Sequence, residues 1–131
     1  MTRKESREYM MKVFFQMEAR KDFLVDHKEE YMGDCQAEGQ QDYCDNLFSL
    51  LCNRKEMVDQ QIAAHSTKWK ISRIPKAELA ILRVAVIELL YLGDIPASVS
   101  INEAVALAKL YGDDQSPAYI NGILGAIAGG K

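Results

Sequence analysis

The chain predicts an all-α fold. Apolar residues recur at helical spacing along most of its length, no stretch alternates convincingly with the period of a strand, and the links between helical stretches are short. Together these describe a compact bundle of about six to seven helices.

Met10, Val13, Phe14 and Met17 recur at i, i+3, i+4 and i+7, so an amphipathic helix is expected from about Thr2 to Glu18, with Arg3, Lys4 and Arg7 on its other side. Between Lys21 and Gln40 only short apolar pieces, Phe23-Leu24-Val25 and Tyr31-Met32, stand among acids, Gly33 and Gly39, which reads as a short helix plus loop. Cys44, Leu47, Phe48, Leu51, Val58 and Ile62 then mark one face of a long helix ending near Ser66. Trp69 is expected to pack over the entry to the next helix. Pro75 suits that helix's first turn, where a missing N–H costs nothing. Beyond it, Leu79, Ile81, Leu82, Val84, Val86, Ile87, Leu89 and Leu90 cover nearly every azimuth, the mark of a central helix enclosed by others, and Gly93 is its expected stop. Ser100 and Glu103 read as a capping box ahead of the stripe Ile101, Ala104, Val105 and Ala108. Gly112 ends that helix. Ser116-Pro117 opens the last one, with Ile120, Ile123, Leu124 and Ile127 as its buried stripe, and Gly129-Gly130-Lys131 reads as a frayed end.

At 131 residues and 48% hydrophobic content, one domain with a real core is expected over 1–131, with an amino-terminal half of about 1–68 and a carboxy-terminal half of about 69–131. The net charge of −3 argues against a general nucleic-acid glue, which needs an excess of cations to displace counterions. The charge is uneven: residues 1–20 sum to +2 and residues 22–59 to −7. Cys35, Cys44 and Cys52 are odd in number and lack a CxxC pairing, so neither a disulfide framework nor a zinc site is supported. No apolar run is long enough to span a bilayer, and MTRKESRE is not a signal peptide, so a soluble cytoplasmic protein without membrane attachment is expected.

Catalysis is not expected. His27 and His65 belong to no triad or metal spacing, the terminal GGK lacks the strand, loop and helix of a phosphate-binding motif, and neither a cofactor nor a metal is called for. Arg83 and Glu88 lie five apart, on different helix faces, which reads as separate structural ion pairs. The better candidate is the amino-terminal basic face, where Arg3, Lys4 and Arg7 stand at helical spacing and could meet successive phosphates. Tyr119, in the turn opening the last helix, has the chemistry to stack on an unpaired base.

The words LRVAVIEL at Leu82–Leu89, DIP at Asp94–Pro96, SINEAVALAK at Ser100–Lys109 and YINGIL at Tyr119–Leu124 resemble, in that order, the NusB family of bacterial transcription antitermination factors. The likeness is dense from Trp69 to Ala128 and touches the start at REYMMKVFFQME. It implies an all-α fold of two small helical subdomains. It further implies binding of single-stranded boxA RNA from ribosomal RNA transcripts, jointly with the ribosomal protein NusE, within the RNA polymerase antitermination complex. Carried over by position, the RNA-binding residues are Arg3, Lys4, Arg7 and Tyr119, and the partner-binding residues are Phe15 and Glu78. The sequence departs from the family pattern in three places: TRKES is thinner in arginine, Ala118 replaces a frequent lysine, and Phe15 lacks a tyrosine hydroxyl. These bear on RNA affinity and leave a protein-only adaptor as the alternative. Met11, Phe15 and Tyr111 are expected to be exposed, open either to the partner or to a second copy in a homodimer.

Overall fold

The computed structural model describes residues 1–130, and helices are the regular elements among them. Helix α1 spans Arg3–Arg20, α2 Lys28–Met32, α3 Gln41–His65, α4 Lys76–Tyr91, α5 Ala97–Tyr111 and α6 Ser116–Gly129, with 3₁₀ turns at Val25–His27 and Ile71–Arg73. The first helix starts on a complete capping box: Thr2 Oγ1 accepts the Glu5 N–H, and the Glu5 carboxylate accepts the Thr2 N–H. It stops where Lys21 takes a left-handed conformation (φ 52°), sending its N–H back to the carbonyls of Met17 and Glu18.

Helix α4 is the enclosed one. Every residue from Glu78 to Leu89 is buried, and α1, α3, α5 and α6 all pack on it. Met10, Phe14 and Met17 of α1, Leu47, Phe48 and Leu51 of α3, and Ile120 and Leu124 of α6 are all fully or almost fully removed from solvent around it, in one core that runs through both halves of the chain. The last helix buries the stripe its spacing predicts. The long third helix is kinked at Arg54 (φ −127°, ψ 17°), a break that its apolar pattern does not announce.

Two expectations are corrected here. The Ser100/Glu103 capping box does not start α5, because the helix begins three residues earlier, at Ala97 after Pro96. Ser100 instead sits in the interior and donates to Glu88 Oε1 at 2.7 Å, while Glu103 lies 3.7 Å from Lys4. Met11, expected on the surface, is 2% exposed, whereas Phe15 and Tyr111 are open as expected, at 40% and 39%. At the far end Gly129 belongs to α6 and Gly130 caps it; Lys131 lies outside the described residues.

Gly112 is a glycine by necessity. Its backbone (φ −102°, ψ −167°) suits any residue, but a Cβ there would stand 2.9 Å from the Ala108 carbonyl and overlap the Ser116 side chain. Ser116 cannot move aside, because its hydroxyl accepts the Asp113 N–H as part of the cap of α6. Gly112→Ala is therefore expected to destabilise the protein by about 1–3 kcal/mol, the usual cost of overpacking, as read by urea unfolding.

Candidate nucleic-acid interface

The end of α3 and the start of α6 are locked together by short-range chemistry. Ser66 Oγ donates to the Trp69 carbonyl at 2.6 Å, and with that proton used it accepts from the Tyr119 hydroxyl at 2.7 Å. The Trp69 and Tyr119 rings meet edge to face, with centroids 4.9 Å apart and planes at 74°. Lys68 lies 4.4 Å over the Trp69 ring and donates to Gln115 Oε1 at 2.8 Å. Asp113 fixes the start of α6 by accepting the N–H groups of Gln115 and Ser116, and these bonds hold its carboxyl below the usual range. Tyr119 is thereby held half-buried, and burial foremost raises its phenol pKa, keeping the hydroxyl neutral.

Phe15 lines a groove with Met11, Lys12, Gln16, Ala77 and Tyr111, and Glu78 follows Ala77 in the first turn of α4. Glu78 is buried, and burial, then the neighbouring Asp113 carboxylate, raise its carboxyl above the ordinary range. Its charge is also felt at Tyr119. Phe15, Glu78 and Tyr119 thus share one end of the molecule, around the amino end of α4.

The amino-terminal tract sits at the other end. Arg7 pairs with Glu88 near the carboxyl end of α4, whereas Glu18 pairs with Arg83 farther back, so α1 and α4 run antiparallel. The 16 residues of α4 span about 24 Å, which separates Arg3 and Lys4 from Tyr119 by a distance of that order. The three cations also differ among themselves. Arg7 is not on the solvent face expected of it: it is 5% exposed, with Nε 2.7 Å and Nη2 3.2 Å from the Glu88 carboxylate. A buried carboxylate opposite has turned it inward. Arg3 is half-buried, 4.2 Å over the Tyr43 ring and bonded to Gln40; Lys4 is open but faces Glu103.

The remaining buried charges serve the fold. Glu88 accepts from Arg7, Tyr43 and Ser100, while Arg83 donates to Asp59 and Glu18, so Arg83 and Glu88 form separate networks as their spacing implies. His65 ends α3 with Nδ1 2.9 Å from the Gln61 carbonyl. Asp22, His27 and Glu30 bring ligand-type atoms within 4.8 Å of one another, a grouping explained by the Asp22–His27 hydrogen bond of 2.7 Å and the bond from Tyr31 to Asp22.

A further charged segment escapes the sums over 1–20 and 22–59. Residues 66–76 hold Lys68, Lys70, Arg73 and Lys76 and no acid. A charge sum over a short window between the two long helices detects it. All four are exposed, and among the described residues none lies within 4.0 Å of a carboxylate.

The fold and surface define a class: an all-helical domain whose buried arginines are tied up in structural ion pairs and which carries an exposed basic segment beside a half-buried aromatic pair. The model of the NusB family matches residues 4–129, and the chain belongs to that family. It is 44% identical over 126 residues to the transcription antitermination protein NusB of Alkaliphilus oremlandii, covering 95% of this chain and 91% of that one. It is 36% identical over 127 residues to the NusB of Bacillus pumilus, covering 97% and 95%. Among solved structures it is similar to T. maritima NusB, at 31% identity and a TM-score of 0.88 over 98% of this chain and 92% of that one. The fold is also shared with a chain in a crystal structure of antitermination factors NusB and NusE in complex with dsRNA, at 24% identity, a TM-score of 0.84 and coverage of 98% and 97%. Among the described residues no helix is long and apolar enough to cross a membrane.

Proposed function

We propose that this chain is a transcription antitermination factor that binds boxA-type single-stranded RNA of ribosomal RNA transcripts jointly with a NusE-type ribosomal protein, helping RNA polymerase read through terminators. The observation that carries this reading is the clustering of Tyr119, Glu78 and Phe15 at the amino end of α4. An RNA-facing aromatic and a partner-facing acid and aromatic side by side make one composite surface, on which each ligand helps to complete the other's site. Glu78, held buried with its carboxyl pKa raised, gains a counter-ion when a basic partner docks. Arg3 and Lys4 supply phosphate contacts at the far end, and Arg7 acts through Glu88 by fixing α1.

Two substitutions test the two halves separately. Tyr119→Ala is expected to weaken RNA binding by about 1–3 kcal/mol in a base-dependent manner while leaving the partner bound. Glu78→Gln is expected to weaken the NusE-type partner at neutral pH with little effect on RNA binding by the chain alone. Silence of both in fluorescence-anisotropy titrations would show the sites to be misassigned. The protein-only adaptor has one observation in its favour: Arg7 is neutralised inside the fold and Lys4 faces an acid, which thins the amino-terminal tract. Partner binding that persists with no RNA affinity in any mixture would establish that reading instead.

A further inference from the structure

The geometry points to the segment joining α3 to α4 as a phosphate-binding strip for RNA, in which Lys68, Lys70, Arg73 and Lys76 contact the backbone beside the Trp69–Tyr119 ring pair. It deepens the RNA reading above and rests on it.

The charge is local. A run of +4 over residues 66–76 stands in a chain of −3, so the strip is a positive field on an otherwise acidic molecule. The charge is also free: Lys68 bonds the neutral amide of Gln115, and among the described residues Lys70, Arg73 and Lys76 have no carboxylate within ion-pair distance, in contrast to Arg7 and Lys4. Asp113 feels the Lys68 charge but is already hydrogen-bonded within the cap of α6. The strip has shape as well, since Ser66, Thr67, Lys68, Trp69 and Lys70 line a depression of about 430 Å³. Its backbone is extended at Lys70 (φ −65°, ψ 151°). The Ser66–Tyr119 bond ties this depression to the aromatic proposed to take a base. Aromatic rings inside a row of free cations are the arrangement that holds single-stranded nucleic acid. A basic ribosomal protein would be repelled by it, so RNA is the occupant that fits.

The test uses the full chain, a labelled boxA-type single-stranded RNA and a combined variant, Lys70→Gln, Arg73→Gln and Lys76→Gln. Lys68 is kept because it packs on Trp69. With Arg3, Lys4 and the strip engaged, log K of the wild type is expected to fall with log salt at a slope of about −4, at roughly 0.7 per phosphate. The triple variant should be shallower by about 2 and bind roughly 100-fold more weakly at 0.1 M salt by the same relation. Arg73→Gln alone should show about one third of the change in slope, and Lys109→Gln, on the exposed side of α5, should show none. Circular dichroism melts verify that the variants fold. An unchanged slope in the triple variant, with RNA still bound, would overturn the strip and leave the RNA reading standing. Loss of partner binding in place of RNA binding would overturn it in favour of a protein-docking segment. Absence of RNA binding by the wild type, alone and with the partner, would overturn both.

Discussion

Glu88→Ala is expected to lower the unfolding free energy by about 3–5 kcal/mol, the range for removing one partner of a buried ion pair. Glu88 is 1% exposed and accepts from the Arg7 guanidinium, the Tyr43 hydroxyl and the Ser100 hydroxyl, so α1, α3 and α5 all converge on this one carboxylate of α4. Its loss leaves a buried guanidinium without a counter-charge and two interior hydroxyls without an acceptor. Burial, the largest cause of the raised Tyr43 phenol pKa, persists when the Glu88 charge is removed, so tyrosine ionisation does not supply the missing negative charge near neutral pH. In a chain of 131 residues this should lower Tm by roughly 10–15 °C in a calorimetric scan. Glu88→Gln, which keeps an acceptor of similar shape, should lose less. Equal losses would mean that the charge, rather than the cavity, sets the cost.

Arg83→Met is the second large effect, expected at about 2–4 kcal/mol. Arg83 is 2% exposed and bridges Asp59 of α3, at 2.9 Å, to Glu18 of α1, at 2.7 Å. The loss is smaller than at Glu88 because each orphaned carboxylate keeps a lysine, Lys21 for Glu18 and Lys55 for Asp59. A pH dependence follows. Burial raises the Glu18 carboxyl, but hydrogen bonds from Lys21 and Arg83 outweigh it and hold it below the ordinary range in the folded state. A depressed folded pKa means that the unfolded chain takes up the proton first, so the stabilisation is complete above the ordinary carboxylate range and is lost as pH falls through the folded pKa. Urea midpoints measured from neutral to acidic pH should therefore drop less steeply in Arg83→Met than in the wild type. Parallel curves would show that Arg83 does not set the Glu18 titration.

Periodicity carries the large features of this fold and fails where one residue of a distant element decides the outcome. The all-round apolar surface of α4 and the stripe of α6 could be placed from spacing alone, because burial of many apolar side chains overrides local detail. Arg7 shows the limit. It stands three residues before Met10 and seven before Phe14, in register with the buried stripe, yet it is also three and four residues from Lys4 and Arg3 on the basic side. Local spacing allows both readings, and Glu88, 81 positions away, selects the inward one. Ser100 fails for the same reason: the S-x-x-E pattern is a true local signal, but Pro96 starts the helix first and the hydroxyl is taken by Glu88. Of the candidate site, Tyr119, Phe15 and Glu78 were legible through family words, while their meeting at one end of α4 depends on the antiparallel packing of α1 and α4. The strip at residues 66–76 is visible as a short run of unopposed cations, and whole-chain charge hides it.

The most direct measurement is the binding of a boxA-type single-stranded RNA to the chain alone, to a NusE-type ribosomal protein alone, and to the two mixed, over a range of salt concentrations. A composite surface at the amino end of α4 predicts tighter binding by the mixture than by either component. A complex of the two proteins with no gain in RNA affinity would contradict it.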